Sequence, residues 1–260
     1  MKNELTITLV QTDNHWEKID DNLDMLSNKI YGIQEEMDIL LLPELFTTGF
    51  TMTGVNLGES MDGKTIRWMR DWASKKDCLV AGSVLIEERG KLYNRFVAAF
   101  PSGELKHSDK RHLFSFAGED EVFEQGTERL VFEFRGFRIC PQICYDLRFP
   151  ELYRAMIDRG VEVITMPAAF TAITGRAHWE TLVRARAIEN LAYVIAAAQG
   201  GFHIASRQTY GHSMIVDPWG TKLAERERGN GCVVAAVDRD FQHTTRRNFP
   251  CLDHRRLHCR

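Results

Sequence analysis

Three stretches bring reactive side chains to the ends of apolar runs. Ile139–Leu152 reads ICPQICYDLRFPEL, where a β-branched run delivers Cys144 into a burst of acid, base and proline. A cysteine attacks as its thiolate, which needs a nearby base or a positive field to form at neutral pH. ILLLPELFTTGF runs an apolar strand straight into Pro43 and Glu44, so this carboxylate stands at a strand's C-terminal end, where α/β folds place their sites. SDKRHLF sets Lys110 in a charged turn before an apolar step. Base, cation and thiol are the parts of covalent acyl transfer. Each also has an ordinary reading taken alone: a loop glutamate facing water, a solvated lysine, a cysteine buried as a small hydrophobe. What favours reactivity at Cys144 is its surroundings. Tyr145, Asp146 and a helix beginning near Pro150 put it on a tight strand-to-helix turn, where the thiol protrudes and backbone N–H groups can receive an oxyanion.

The elements that must position these groups are short apolar strands at Leu5–Val10, Ile39–Leu42, Leu79–Ile86, Phe96–Phe100, Leu130–Phe134, Phe137–Cys144, Val161–Met166, Ala192–Ala198, Met214–Val216 and Cys232–Val237. Several lack polar alternation, as strands covered on both faces do. Helical spacing fills Trp16–Ile30, Thr65–Ser74, Glu151–Asp158 and His178–Leu191. This alternation means an α/β layered fold, either two sheets packed together or one doubly wound sheet.

The totals exclude several classes. A net charge of −3 over 260 residues, with only a short basic cluster near the end, argues against a nucleic-acid surface. The opening MKNELTITLV lacks the blocks of a secretory signal, and no apolar run approaches the roughly 18 residues that span a bilayer, so a cytoplasmic location is expected. The six cysteines form no paired framework and are expected to be reduced. Cys251, His254, His258 and Cys259 are spaced too loosely for a convincing zinc site. His178-Trp179-Glu180 lacks the P-C-x-x-C that a zinc deaminase requires.

Together, LLPELFTTGF, DKRHLF and ICYDLRFPEL resemble the nitrilase superfamily of carbon–nitrogen hydrolases. The resemblance spans nearly the whole chain and implies one domain over 1–260, folded as a four-layer αββα sandwich. It implies Glu44 as base, Cys144 as nucleophile, and Lys110 with the Tyr145 backbone N–H as oxyanion donors. The family's second glutamate falls in AGEDEVFEQG, at Glu119 rather than its neighbours Glu121 and Glu124. GFTM, KRHLF and CYDLRFPEL resemble the omega-amidase and Nit branch, whereas MPAAFTAITGRAHWETLVRARAIEN, AAAQGG and TYGHSMIVDPWG resemble deaminated-glutathione amidases, as if the chain were a mosaic of the two.

The implied reaction is amide hydrolysis through a cysteine thioester, with ammonia released and neither metal nor organic cofactor needed. The implied substrate is a small omega-amidated dicarboxylic or 2-oxo acid, so a second anchor is expected among Arg148, Arg176 and Thr174, with Arg148 more readily placed as a brace for the turn through Asp146 or Glu151. Phe46, Phe114, Phe170 and Trp179 are candidate pocket walls, at least half of them expected to be ordinary core. The resemblance also implies a homodimer through parts of Leu147–Arg159 and the C-terminal tail. The rival reading is a silent binding or scaffold member of the fold.

Overall fold

Side chains alternate across a strand, and this sets the layers. In β1 (Glu4–Gln11), Leu5, Ile7 and Leu9 face one apolar cluster and Val10 another. In β2 (Ile39–Leu41), Ile39 and Leu41 join the first and Leu40 the second. In β3 (Leu79–Glu88), Leu79 and Ala81 likewise oppose Val80, Val84 and Ile86. The second cluster is capped by Leu23, Leu26 and Ile30 of α1 (Ile19–Gly32) and by Ile66, Met69 and Ala73 of α2 (Lys64–Lys76). The first is the seam between two sheets. The computed structural model, which describes residues 2–201 and 208–257, thus shows strands buried on both faces for a physical reason.

One sheet runs, in spatial order, β12 (Gly231–Asp238), β1, β2, β3, β4 (Lys91–Ala99) and β5 (Leu105–Asp109). The other runs β11 (Lys222–Arg226), β10 (Ser213–Val216), β9 (Tyr193–Ala198), β8 (Val163–Ala168), β7 (Phe137–Pro141) and β6 (Phe132–Phe134). Each sheet has a parallel centre, β1-β2-β3 and β7-β8-β9, flanked by antiparallel edges. Outside the second sheet lie α4 (Pro150–Ile157) and α5 (Ala172–Asn190), which bury Leu152 and Met156, and Trp179, Val183 and Ala187. This is the four-layer αββα sandwich expected.

Several boundaries differ from the sequence expectation. β7 stops at Pro141, three residues before Cys144, and α5 begins at Ala172 rather than His178. The edge strands β5 and β11 and the last helix α6 (Arg239–Asn248) carried no apolar signal. That helix is held by polar contacts instead: Gln242 Nε2 donates to the carbonyls of Glu162 (2.8 Å) and Leu191 (3.1 Å), and Arg246 donates to Leu191 and Val161. No helix among the described residues is long and apolar enough to cross a membrane.

Candidate active site

Strand ends deliver the reactive groups from both sheets. Glu44 follows β2, and its neighbour Leu45 takes the left-handed conformation (φ 42°), fixed by its N–H donating to Ser83 Oγ at 2.9 Å. The Glu44 carbonyl accepts from Gln199 Nε2 across the sheet seam at 2.7 Å. Lys110 follows β5. Its N–H donates to the Asn94 carbonyl (2.9 Å), and its own carbonyl accepts from Gly126 (2.8 Å). A Cβ at Gly126 would lie 2.1 Å from the Asp109 carbonyl oxygen, so only glycine permits that approach. Cys144 opens a single-turn 3₁₀ helix, Cys144–Arg148, with φ 46°. A left-handed cysteine is costly and survives only where its surroundings over-determine it. Here the Asp146 carboxylate accepts the Ile143 N–H (3.1 Å), and Arg186 donates twice to the Leu147 carbonyl (3.0 and 2.7 Å).

These segments bring four groups together. Lys110 Nζ lies 2.8 Å from Glu44 Oε1 and 2.9 and 2.8 Å from the two oxygens of Glu119. Asn94 Nδ2 bridges the carboxylates, donating to Glu44 Oε1 (2.8 Å) and Glu119 Oε1 (3.0 Å), and the Phe114 N–H donates to Glu119 Oε2 at 2.6 Å. All four side chains are buried. Glu119 is therefore the carboxylate that meets the lysine, whereas Glu121 and Glu124 are exposed, Glu124 pairing with Lys91. Glu44 Oε2 has no hydrogen-bond partner among the described residues, and the Glu44 carboxyl and the Cys144 thiol each shift the other's ionisation. Asn94 was not foreseen. It sits inside a continuous strand, and no local signal marks an amide there as anything but buried.

The charges explain the ionisation. Burial pushes the Glu44 carboxyl up, Lys110 opposes this, and the Glu119 charge adds to it. Burial works against the Lys110 ammonium, yet Glu119 and Glu44 overcome it and hold its pKa above the ordinary lysine value. Burial, then the Glu44 charge, push the Cys144 thiol well up, against the pull of Lys110 and the Ala169 backbone. The site thus sets a thiol held neutral beside an ammonium held charged. Cys78 and Cys140 are buried, and burial pushes their thiols up to about 12.

Cys144, 9% exposed, reaches solvent through a cavity of about 230 Å³. Phe50, Met52, Phe114, Phe116 and Phe170 wall it, with the hydroxyls of Thr53, Thr171 and Thr174 and with Tyr145 beside the thiol. Arg148 also lines it, correcting its expected role as a brace. Its guanidinium rests 5.7 Å from the Tyr145 ring and 5.2 Å from that of Phe170, with the His178 ring nitrogen at 3.1 Å. It makes no ion pair with a carboxylate among the described residues; Asp146 turns instead to His112 and Ile143. Arg176, expected as an anchor, is exposed on α5 and does not line the cavity. Phe46 and Trp179 are core: Phe46 packs on Trp68, and Trp179 packs on Phe170 and donates to the His212 carbonyl at 2.8 Å. No group of three or more His, Cys, Asp or Glu among the described residues could hold a metal; of the loose tail quartet, His258 and Cys259 lie outside the described residues.

A thiol, a carboxyl and an ammonium beside one cavity of an αββα sandwich are the parts of a cysteine-dependent hydrolase. The chain belongs to the carbon–nitrogen hydrolase family, which matches residues 6–247, and so acts on amide carbon–nitrogen bonds. It is 38% identical over 253 residues to omega-amidase YafV of Yersinia enterocolitica, covering 95% of each chain. It is 53% identical to the deaminated glutathione amidase of Mus musculus over 179 residues, which are 65% of this chain and 55% of that one. Among solved structures it matches XC1258 of Xanthomonas campestris, a CN-hydrolase superfamily protein with an arsenic adduct in its active site, with a TM-score of 0.94, 32% identity and 98% of each chain covered.

Proposed function

We propose that the protein is an omega-amidase-type enzyme that hydrolyses the terminal amide of a small dicarboxylic or 2-oxo acid, such as 2-oxoglutaramate, through a Cys144 thioester. The observation that carries this is the cluster of Lys110 Nζ, Glu44 and Glu119 beside a cavity lined by Cys144 and by Arg148, whose guanidinium pairs with no carboxylate among the described residues. In the proposed reaction Glu44 Oε2 takes the thiol proton as Sγ bonds to the amide carbon. The carbonyl electrons move onto oxygen, held by the Lys110 ammonium and the Tyr145 N–H, an amide that the first turn of a helix leaves without an intrahelical acceptor. Collapse breaks the C–N bond, and Glu44 returns its proton to departing ammonia. Water, losing a proton to Glu44, then attacks the thioester carbon; the C–S bond breaks, the acid is freed, and Glu44 returns the proton to the departing sulfur. Glu119 fixes Lys110.

Arg148 is the group suited to a substrate carboxylate: a cation flanked by aromatic rings in an apolar pocket, with Thr174 beside it. The 53% identity to deaminated glutathione amidases over part of the chain favours that activity as the second reading. Ammonia release from 2-oxoglutaramate and from deaminated glutathione, compared at equal enzyme, separates the two, and Cys144→Ala is expected to abolish both while folding normally. A Cys144→Ala variant with wild-type turnover would falsify the reading, as would a wild type inert toward every carboxylate-bearing amide, which would favour a scaffold.

Homodimerisation is proposed as well. Trp219, Phe241 and Phe249 stand together, each more than a third exposed, beside the C-terminal segment, and burial against a second copy would remove them from water. Light scattering tests it, monomer alone being the contrary result. A cytoplasmic setting is proposed because Cys78, Cys140, Cys144, Cys232 and Cys251 are all free thiols.

A further inference from the structure

We propose that His112 is a positioning residue for this reaction: with Asp146 it ties the segment that carries Lys110 to the turn that carries Cys144. The proposal rests on the amidase reading above. Its motive is that the two oxyanion donors come from different sheets. Lys110 leaves β5 at the edge of one sheet, and Tyr145 stands beyond β7 in the other, so sliding of the sheets would change the distance between them.

The structure supplies a tie two residues from each catalytic group. Asp146 is 2% exposed, and its carboxylate is fully engaged. Oδ1 accepts the His112 backbone N–H at 2.9 Å and lies 2.7 Å from His112 Nδ1, while Oδ2 accepts the Ile143 N–H at 3.1 Å. A carboxylate at neutral pH only accepts, so Nδ1 carries the proton in that contact. The imidazole is held in place by stacking on Phe149, with centroids 3.7 Å apart and planes 8° from parallel. Phe149 meets Tyr145 edge-on at 5.3 Å, and Tyr145 packs on Phe114 at 4.9 Å. The chain of contacts therefore runs from the Lys110 segment, through His112, to the residue whose N–H faces the developing oxyanion. Asp146 also pins Ile143, the residue before the strained Cys144, so one carboxylate sets both the turn and its distance from the lysine.

A tie of this kind acts on the transition state, because the donors must be correctly spaced only when the oxyanion forms. A misplacement of about 1 Å costs on the order of 10²-fold in rate. The backbone N–H of residue 112 reaches Asp146 whatever the side chain, which preserves the fold in variants of this position. Asparagine places an amide N–H where imidazole Nδ1 stands, whereas glutamine places it one bond further, nearer Nε2.

The experiment measures steady-state ammonia release and thermal unfolding for wild type, His112→Ala, His112→Asn, His112→Gln and Cys144→Ala. His112→Ala and His112→Gln are expected to lose roughly 10- to 100-fold in kcat, with KM changed less than about 3-fold, and His112→Asn to recover most of kcat. A His112→Ala kcat at the wild-type level overturns the proposal, as does Gln performing as well as Asn, or a loss carried by KM. If the alanine variant does not fold, the contrast between Asn and Gln still decides. Residual turnover in Cys144→Ala would sink the amidase reading itself, whereas an inactive Cys144→Ala beside a fully active His112→Ala would sink only the positioning role.

Discussion

Replacing Glu119 by Gln keeps the shape of the side chain and removes its charge, and the geometry fixes the consequence. Oε1 of Glu119 accepts from Lys110 Nζ (2.9 Å) and Asn94 Nδ2 (3.0 Å), and Oε2 accepts from Lys110 Nζ (2.8 Å) and the Phe114 N–H (2.6 Å). Whichever way the amide turns, its NH₂ faces two donors and loses both bonds. Hydrogen bonds to charged groups contribute about 1.5–3 kcal/mol each, so the loss is about 3–6 kcal/mol. At roughly 2–4 °C per kcal/mol for a chain of this size, the melting midpoint is expected to fall by roughly 6–24 °C. Turnover falls for separate reasons. Lys110 loses the carboxylate that holds it, and a misplaced oxyanion donor costs on the order of 10²–10³. The Glu119 charge also helps raise the Glu44 carboxyl; without it Glu44 becomes a weaker base that stays ionised to lower pH. The acid limb of kcat is therefore expected to move down in pH while the plateau drops. Thermal melts and a pH series of ammonia release read both effects. A variant that melts within about 2 °C of wild type and keeps most of its turnover would refute the idea that Glu119 holds the lysine.

Arg148→Met should raise KM for a carboxylate-bearing amide by roughly 10- to 150-fold, the loss of one charged anchor, and hardly affect an amide without a carboxylate; equal effects on both would contradict an anchoring role. With a small alkylating reagent, Cys144 should be labelled before Cys78 and Cys140, because it alone of the three opens to the cavity; mass spectrometry of labelled peptides gives the order. Burial would raise the Asp38 carboxyl, but Lys2, the Thr6 N–H and Arg135 hold it below its ordinary value. A depressed carboxylate stabilises the fold above its unfolded-state pKa of about 3.9, and that stability is lost as pH falls through the lower folded value. The destabilisation by Asp38→Asn, read from urea midpoints, should therefore be large at neutral pH and shrink toward pH 3; a constant difference would count against it.

The parts of the fold that could be read from the sequence are those with strands buried on both faces, since continuous apolar runs mark them. Of the four edge strands, β6 and β12 carried apolar runs, but β5 and β11 were not legible: LKHSD and KLAER pair on one side only and carry mostly polar, half-exposed residues. The last helix was hidden because backbone carbonyls hold Gln242 and Arg246, leaving no apolar stripe to follow. At the site, Glu44 and Cys144 stood out because a strand delivers each to its own polar end. Asn94 was invisible inside its strand, and Arg148 was misjudged because an arginine beside Asp146 and Glu151 in sequence suggests an ion pair that the backbone does not make. Neighbours along the chain indicated charge, whereas the direction in which each charge points comes from the 3₁₀ turn.

The buried cluster of one ammonium and two carboxylates also explains why a lone cysteine could not serve. Ion pairs this far from water recover the cost of desolvation only when nearly every lone pair finds a donor. Glu119 meets that condition with four contacts, and its charge is spent on holding Lys110 ionised. Glu44 does not: its Oε2 has no hydrogen-bond partner among the described residues. In the proposed reaction that unsatisfied oxygen is the one that takes the thiol proton. Hydrogen bonds are concentrated on Glu119, and withheld from Glu44, the carboxyl that in the proposed reaction takes up and releases a proton in each half.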